Sequence, residues 1–242
     1  MTLKAVLFDF NGVIINDEGI HEKLIDQILI DENLRSKPGE FRQICLGKSD
    51  RACISELLSL RGRVVTEAYL MQLMSRKAEA YQKELAKMEK LPIFPAVEDL
   101  IYKLRVAKLK IGLVTGALRS EVEVVLARSN LAQYFPVIVT GDEIKASKPD
   151  PEGYLLAVER LNAQFPDLKL QPAECLAIED TPPGIQAAKS AGMQVVGVAN
   201  SYPFHFMQRQ ANWAVDYLTD LELERVQEIF LQKVPQPVVS AE

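Results

Sequence analysis

Three acids, a hydroxyl and a lysine fall at the ends of short apolar runs in this chain, and their types suit phosphate chemistry. The first run, Lys4 to Phe10, passes into Asp9-Phe10-Asn11-Gly12. A second, Lys110 to Thr115, ends in Thr115-Gly116. Val137 to Thr140 is followed by Gly141-Asp142-Glu143 and then by Lys148-Pro149, and Cys175 to Glu179 ends in Glu179-Asp180. A carboxylate facing a phosphate dianion is repelled unless a cation intervenes. Three carboxylates suit magnesium, a hard cation that takes oxygen ligands and keeps several waters. Lys148 would neutralise charge on the nucleophile and the phosphoryl oxygens. Thr115 and neighbouring N–H groups would hold the remaining oxygens, with the positive end of the helix after Gly116 aimed at the anion. Asp9 would then attack phosphorus and form an aspartyl phosphate.

The elements that must position these groups follow from the same runs. Short apolar stretches bounded by turn residues read as buried strands of a parallel sheet. Between them the spacing predicts helices over 96–107, 151–162 and 184–191. Another runs to about Ser129 from Ser120, an N-cap with Glu123 three residues on. Gln194 to Val198 and Asn212 to Tyr217 are further predicted strands. This alternation predicts an α/β fold with a doubly wound parallel sheet. Such sheets bind ligands outside the carboxyl ends of their strands, where the polar groups lie.

Residues 16–90 have a different texture. Ile20, Leu24, Ile28 and Leu29 recur at helical spacing, as do Ile54, Leu57, Leu58 and Leu60. The stretch 66–90 is rich in strong helix formers and carries the apolar stripe Met71, Leu73, Met74. The expected organisation is a core of residues 1–15 and 91–233, an all-helical insert over 16–90 closed by Pro92 and Pro95, and a loose tail over 234–242.

Composition bounds the rest. The chain has 242 residues, 48% hydrophobic, enough for a core domain with an insert. Its net charge of -5 offers no basic face for nucleic acid. No apolar stretch approaches the roughly 18 residues of a membrane helix, and no signal peptide is evident. Cys45, Cys53 and Cys175 lack CxxC spacing and read as reduced and buried, which fits a cytoplasmic protein. Nothing demands an oligomer, so a monomer is expected.

Taken in order, Asp9-x-Asn11-Gly12, Thr115-Gly116, Lys148-Pro149 and Glu179-Asp180 resemble the four motifs of the haloacid dehalogenase superfamily. The insert resembles its helical cap. FDFNGVI, SKPDPEGY and IEDTPPGIQAAKSAGM resemble its β-phosphoglucomutase-like and phosphoglycolate-phosphatase-like subgroup, and the likeness covers about residues 3–200. The resemblance implies a magnesium-dependent enzyme acting on a small phosphorylated metabolite. It makes Asp9 nucleophile and metal ligand, Asn11 a ligand through its carbonyl, and Asp180 a second carboxylate ligand supported by Glu179. Thr115 and Gly116 would hold the phosphate, with Lys148 beside them. His21 would lie near the hinge and the site. The loop Gly47 to Arg51 would read the substrate, with Lys48 or Arg51 on a second anionic group.

One position departs from the pattern. The family's phosphatases and mutases carry an aspartate where this chain has Asn11, and that aspartate is the general acid and base. An amide cannot exchange a proton at neutral pH, and losing such a group costs roughly 10²–10⁴ in rate. A slow enzyme, another acid such as His21 or Asp17, a leaving group that needs no proton, or a binding protein without turnover would each account for it. Asp50 and Leu118-Arg119 stand where the subgroup's mutases carry an arginine and a lysine–asparagine pair. The expectation is therefore a phosphatase, with a phosphosugar mutase as alternative.

Overall fold

A computed structural model describes residues 2–232. The first strand, β1 (Ala5–Phe8), is fully buried, as a central parallel strand covered on both faces must be. The chain then leaves the sheet for four helices: α1 (Glu18–Asp31), α2 (Glu40–Ile44), α3 (Asp50–Ser59) and α4 (Glu67–Ala86). They share a core of their own that includes Ile25, Leu29, Leu57, Leu58 and Leu73. Helix α5 (Val97–Val106) leads back to β2 (Lys110–Val114), and α6 (Arg119–Arg128) to β3 (Val137–Val139). There follow α7 (Glu152–Gln164), β4 (Cys175–Glu179), α8 (Pro182–Ser190), β5 (Gln194–Val198), α9 (Phe204–Gln210), β6 (Trp213–Val215) and α10 (Leu223–Gln232).

The six strands are all parallel in the order β3-β2-β1-β4-β5-β6. Helices α5, α6 and α10 pack on one face, and α7, α8 and α9 on the other. The winding reverses at β1, whose neighbours are β2 on one side and β4 on the other. Phe8 is level with Leu113 and with Ile178. Asp9, Thr115 and Glu179-Asp180 therefore leave the sheet side by side at its switch point, where a doubly wound sheet opens a crevice.

Several expectations shift. Helix α6 begins at Arg119, so Ser120 is inside it. The Glu121 carboxylate caps the helix instead, accepting the Leu118 N–H at 3.2 Å. Leu60 and Met71 are exposed: Leu60 follows α3, and Met71 is turned off the buried Leu70–Leu73–Met74 face of α4. Helix α10 adds to the expected elements, with Leu223, Val226 and Phe230 buried at helical spacing. The stretch 234–242 lies outside the described residues.

The cysteine reading needs correction. Cys45 and Cys53 form a disulfide, and only Cys175 is a free, buried thiol among the described residues. The loop between α2 and α3 reverses the chain and brings their Cα atoms to 4.6 Å despite a spacing of 8 residues. Closing so short a loop stabilises by about 2–3 kcal/mol. Replacing both cysteines by serine is expected to lower the melting temperature by about 5–10 °C, read by thermal denaturation. A reducing agent should do the same to the unmodified protein.

Glu143, just after β3, joins three elements. It accepts from Arg119 of α6 at 2.6 Å, Arg160 of α7 at 3.1 Å, and the Thr140 hydroxyl at 2.8 Å. Burial disfavours its charge, but these donors outweigh burial and lower its pKa from 4.5 to about 2. A carboxylate depressed on folding stabilises above its unfolded value and loses that contribution as pH falls through the folded one. Glu143→Gln is expected to cost about 1–2 kcal/mol at pH 7, allowing for solvent screening of a partly exposed group. The difference from the unmodified protein should shrink between pH 4.5 and about 2, measured by denaturant unfolding at both ends.

Candidate active site

Asp9 is set immediately beyond β1, its N–H bonded to the Ile178 carbonyl at 2.9 Å. The next turn folds onto Asp180 because Gly12 adopts φ 78° and has no Cβ; one added there would lie inside the Asp180 carboxylate. Asn200, beyond β5, donates to the Gly12 carbonyl at 2.7 Å and holds the turn down. Asp9, Glu179 and Asp180 are all buried, and each offers an oxygen within 4.8 Å of the others.

Lys148 enters the cluster from the loop before α7. Its Nζ donates to Asp9 Oδ1 at 2.8 Å and to Glu179 Oε1 at 2.6 Å. Tyr154 of α7 adds its hydroxyl to Glu179 Oε1 at 2.5 Å, and Ser201 donates to Asp180. Two buried oxygens, Glu179 Oε2 and Asp180 Oδ1, have no hydrogen-bond partner among the described residues.

One ammonium does not balance three buried carboxylates. Burial, and then the charge of Asp9, push the Glu179 carboxyl up to about 7. Burial with the charges of Asp9 and Glu18 raises Asp180 well above the ordinary carboxylate range. Burial works against the Lys148 ammonium, yet the two carboxylates outweigh it and strengthen its hold on the proton. A divalent cation would relieve this repulsion and satisfy the orphaned oxygens, which buried polar groups otherwise rarely leave open. The donors are all hard oxygens, so the residues fit magnesium.

The β2 side supplies the second arc. Thr115 is buried, and its hydroxyl accepts the Ala117 N–H at 3.0 Å. Gly116 is pressed against the α2–α3 loop; a Cβ there would lie 2.8 Å from the Lys48 carbonyl oxygen. The first N–H groups of α6 are already taken, Leu118 by Glu121 and Arg119 by Asp142. The helix end is thus less open to an anion than the sequence suggests.

Asn11 faces a third group. Its Nδ2 donates to Asp17 Oδ1 and Oδ2 at 3.1 and 3.0 Å and lies 3.0 Å from His21 Nε2. His21 Nε2 is 3.2 Å from Asp17 Oδ2, and its ring stacks on Tyr81 with centroids 4.7 Å apart. The Tyr81 hydroxyl also donates to Asp17. Asp17 is buried, which opposes its charge, but the His21, Tyr81 and Asn11 interactions outweigh burial and lower its pKa. Asp17 is therefore an ionised acceptor, and the His21 imidazole lies against it and beside Asn11.

These groups surround a cavity of about 60 Å³, lined by Asp9, Asn11 and Gly116 on the sheet side and by His21, Lys48 and Asp50 on the helical side. Lys148, Glu179 and Asp180 sit behind Asp9, outside its lining. Arg51 lies away from it and pairs with Glu67 on the outer side of the helices. Glu18, Tyr81, Tyr154, Thr181, Asn200 and Ser201 belong to the site or its support and were not singled out from sequence. Asn200-Ser201 follows β5, so the strand-end rule that found Asp9 applied there also.

A parallel sheet whose strand ends converge on three carboxylates and a lysine has the layout of an α/β enzyme suited to phosphoryl transfer. The haloacid dehalogenase-like hydrolase family model matches residues 6–198, and the chain belongs to that family. It is 31% identical to a β-phosphoglucomutase of Bacillus subtilis, over 93% of this chain and 95% of that one. It is 29% identical to a phosphorylated carbohydrates phosphatase of Thermotoga maritima, over 82% of this chain and 87% of that one. Among solved structures, a β-phosphoglucomutase from Clostridium difficile superposes with a TM-score of 0.82 at 24% identity, covering 97% of this chain and 100% of that one. At that identity the likeness speaks for the fold.

Proposed function

We propose that the protein is a magnesium-dependent phosphatase that hydrolyses a small phosphorylated metabolite, such as a sugar phosphate, through an aspartyl phosphate on Asp9. The observation that carries this reading is the buried Asp9–Lys148–Glu179–Asp180 cluster with its orphaned oxygens at the sheet's switch point. Asp9, Asp180 and the Asn11 carbonyl would hold the magnesium ion, with Glu179 behind them. Bound there, the ion supplies screening between the nucleophile and the incoming phosphate.

The chain's own residues do the rest. Lys148, bonded to Asp9 Oδ1 at 2.8 Å, keeps that carboxylate aligned. Thr115 and Gly116 bound the phosphoryl oxygens. His21, fixed by Asp17 and Tyr81, gives a proton to the leaving oxygen and later takes one from water. Residues 16–90 act as a cap domain over the core of residues 1–15 and 91–233. Ligand sites for drug-sized molecules span about 300–1,000 Å³, so a 60 Å³ cavity admits substrate only when the cap lifts. A monomeric, cytoplasmic enzyme completes the proposal. In a reducing cytoplasm the Cys45–Cys53 bond would meet cellular thiols, so mass spectrometry of freshly alkylated protein from its own cells bears on that location.

The test is phosphate release from a panel of phosphomonoesters before and after chelation. Activity should vanish in the chelated protein and return with magnesium. Turnover unaffected by chelation would sink the metal-dependent reading. Conversion of a sugar 1-phosphate to its 6-phosphate without phosphate release would install the mutase instead.

A further inference from the structure

The helical wall of the cavity, opposite Asp9, faces whatever the substrate carries beyond its phosphate. That wall has a broad apolar part made by Ile25, Phe41, Leu46 and the Cys45–Cys53 disulfide. Its ionisable members are Glu18, His21, Lys48 and Asp50, with His21 held against Asp17. The cations in and behind the wall are already engaged. Lys48 donates to Glu56 Oε2 at 2.6 Å. Lys77 of α4 lies buried behind Asp50, donating to Asp50 Oδ2 at 2.7 Å and Glu121 Oε1 at 3.2 Å. Arg42 donates to the Ser201 carbonyl and lies over the Tyr202 ring. Arg51 is outside the cavity, paired with Glu67.

What remains on this wall is the Asp50 carboxylate beside an apolar surface, with Glu18 at the margin. A second anion placed here would lose its hydration and meet the Asp50–Lys77–Glu121 group, in which one ammonium serves two carboxylates, with no free partner of its own; such a contact discriminates against its bearer. A hydroxyl would instead find an acceptor in Asp50, and the carbon face of a ring or chain would cover the apolar part.

We infer that the cavity selects phosphomonoesters whose other end is uncharged and hydroxylated with an apolar face, and rejects those bearing a second anionic group. The inference rests on the phosphatase reading and specifies its substrate class. It reverses the sequence-level expectation that Lys48 or Arg51 receives a second anion.

Matched pairs test it: glucitol 6-phosphate against 6-phosphogluconate, and glycerol 3-phosphate against 3-phosphoglycerate. Each pair differs by a carboxylate at the far end. Affinities are measured by calorimetry on the Asp9→Asn variant with magnesium, and turnover on the unmodified enzyme. The neutral member should bind at least about tenfold tighter, the scale of one uncompensated charge contact. Asp50→Asn should narrow that ratio by relieving the like charge. Equal affinity, preference for the acidic member, binding of neither, or a ratio untouched by Asp50→Asn overturns the inference. Selective binding without any turnover by the unmodified enzyme would leave this inference standing while the phosphatase reading fails.

Discussion

Asp9→Asn is expected to lower phosphate release by about 10⁴-fold or more, the scale at which enzymes lose a nucleophile. The same variant should be more stable than the unmodified protein when no metal is present. The reasons are on one side of the sheet. Asp9 lies with Glu179 and Asp180 in a buried cluster, and its charge is second only to burial in pushing both of their carboxyls up. Asparagine removes one of three like charges, while Lys148 keeps its bond to Glu179 at 2.6 Å. The expected gain is about 1–2 kcal/mol in the presence of a chelator, since relieving strain at functional sites commonly stabilises. With magnesium the order should narrow or reverse, because the unmodified protein then gains a ligand that the variant binds less well. Thermal denaturation with and without the ion reads this directly. Residual turnover within a factor of ten of the unmodified enzyme would remove Asp9 from the nucleophile's role.

The sheet and much of the cluster were open to reading because parallel strands carry their own punctuation. A four- or five-residue run buried on both faces has to be apolar throughout, so the acids after Phe8 and Ile178 stand out, and the two strands pair level with each other. Lys148 was legible for a different reason, its place in a quoted motif. What was hidden depends on contacts between distant segments. Lys77 looks like any helix-forming lysine until α4 packs beside α3 and α6 and it meets Asp50 and Glu121. Cys45 and Cys53 show no pairing until the α2–α3 turn brings them together. Arg51 sits one residue from Asp50 in sequence, yet on a helix that step turns the side chain by about 100° and points it outward.

His21→Gln is expected to reduce turnover of sugar phosphates by about 10²–10⁴-fold, the usual value of a positioned acid and base. Acetyl phosphate, whose leaving group departs without a proton, should lose far less. That contrast separates proton transfer from a merely structural role. Asn11→Asp alone is not the simple repair that the sequence suggests. The Asn11 amide now donates to both Asp17 oxygens at 3.1 and 3.0 Å, so a carboxylate there would face another at contact. Two such groups cannot both ionise, and one must hold a proton or turn away. The single variant should therefore lose stability and gain little rate. The paired exchange Asn11→Asp with Asp17→Asn keeps the charge and an amide–carboxylate contact while moving the acid six residues. Placed in the His21→Gln background, it should recover sugar phosphate turnover, measured as phosphate release. Recovery would mean that the carboxyl works from position 11 and that His21 serves because Asn11 cannot. Full activity of His21→Gln on sugar phosphates would instead mean that the proton comes from elsewhere, with Glu18 at the cavity margin the next acid to replace.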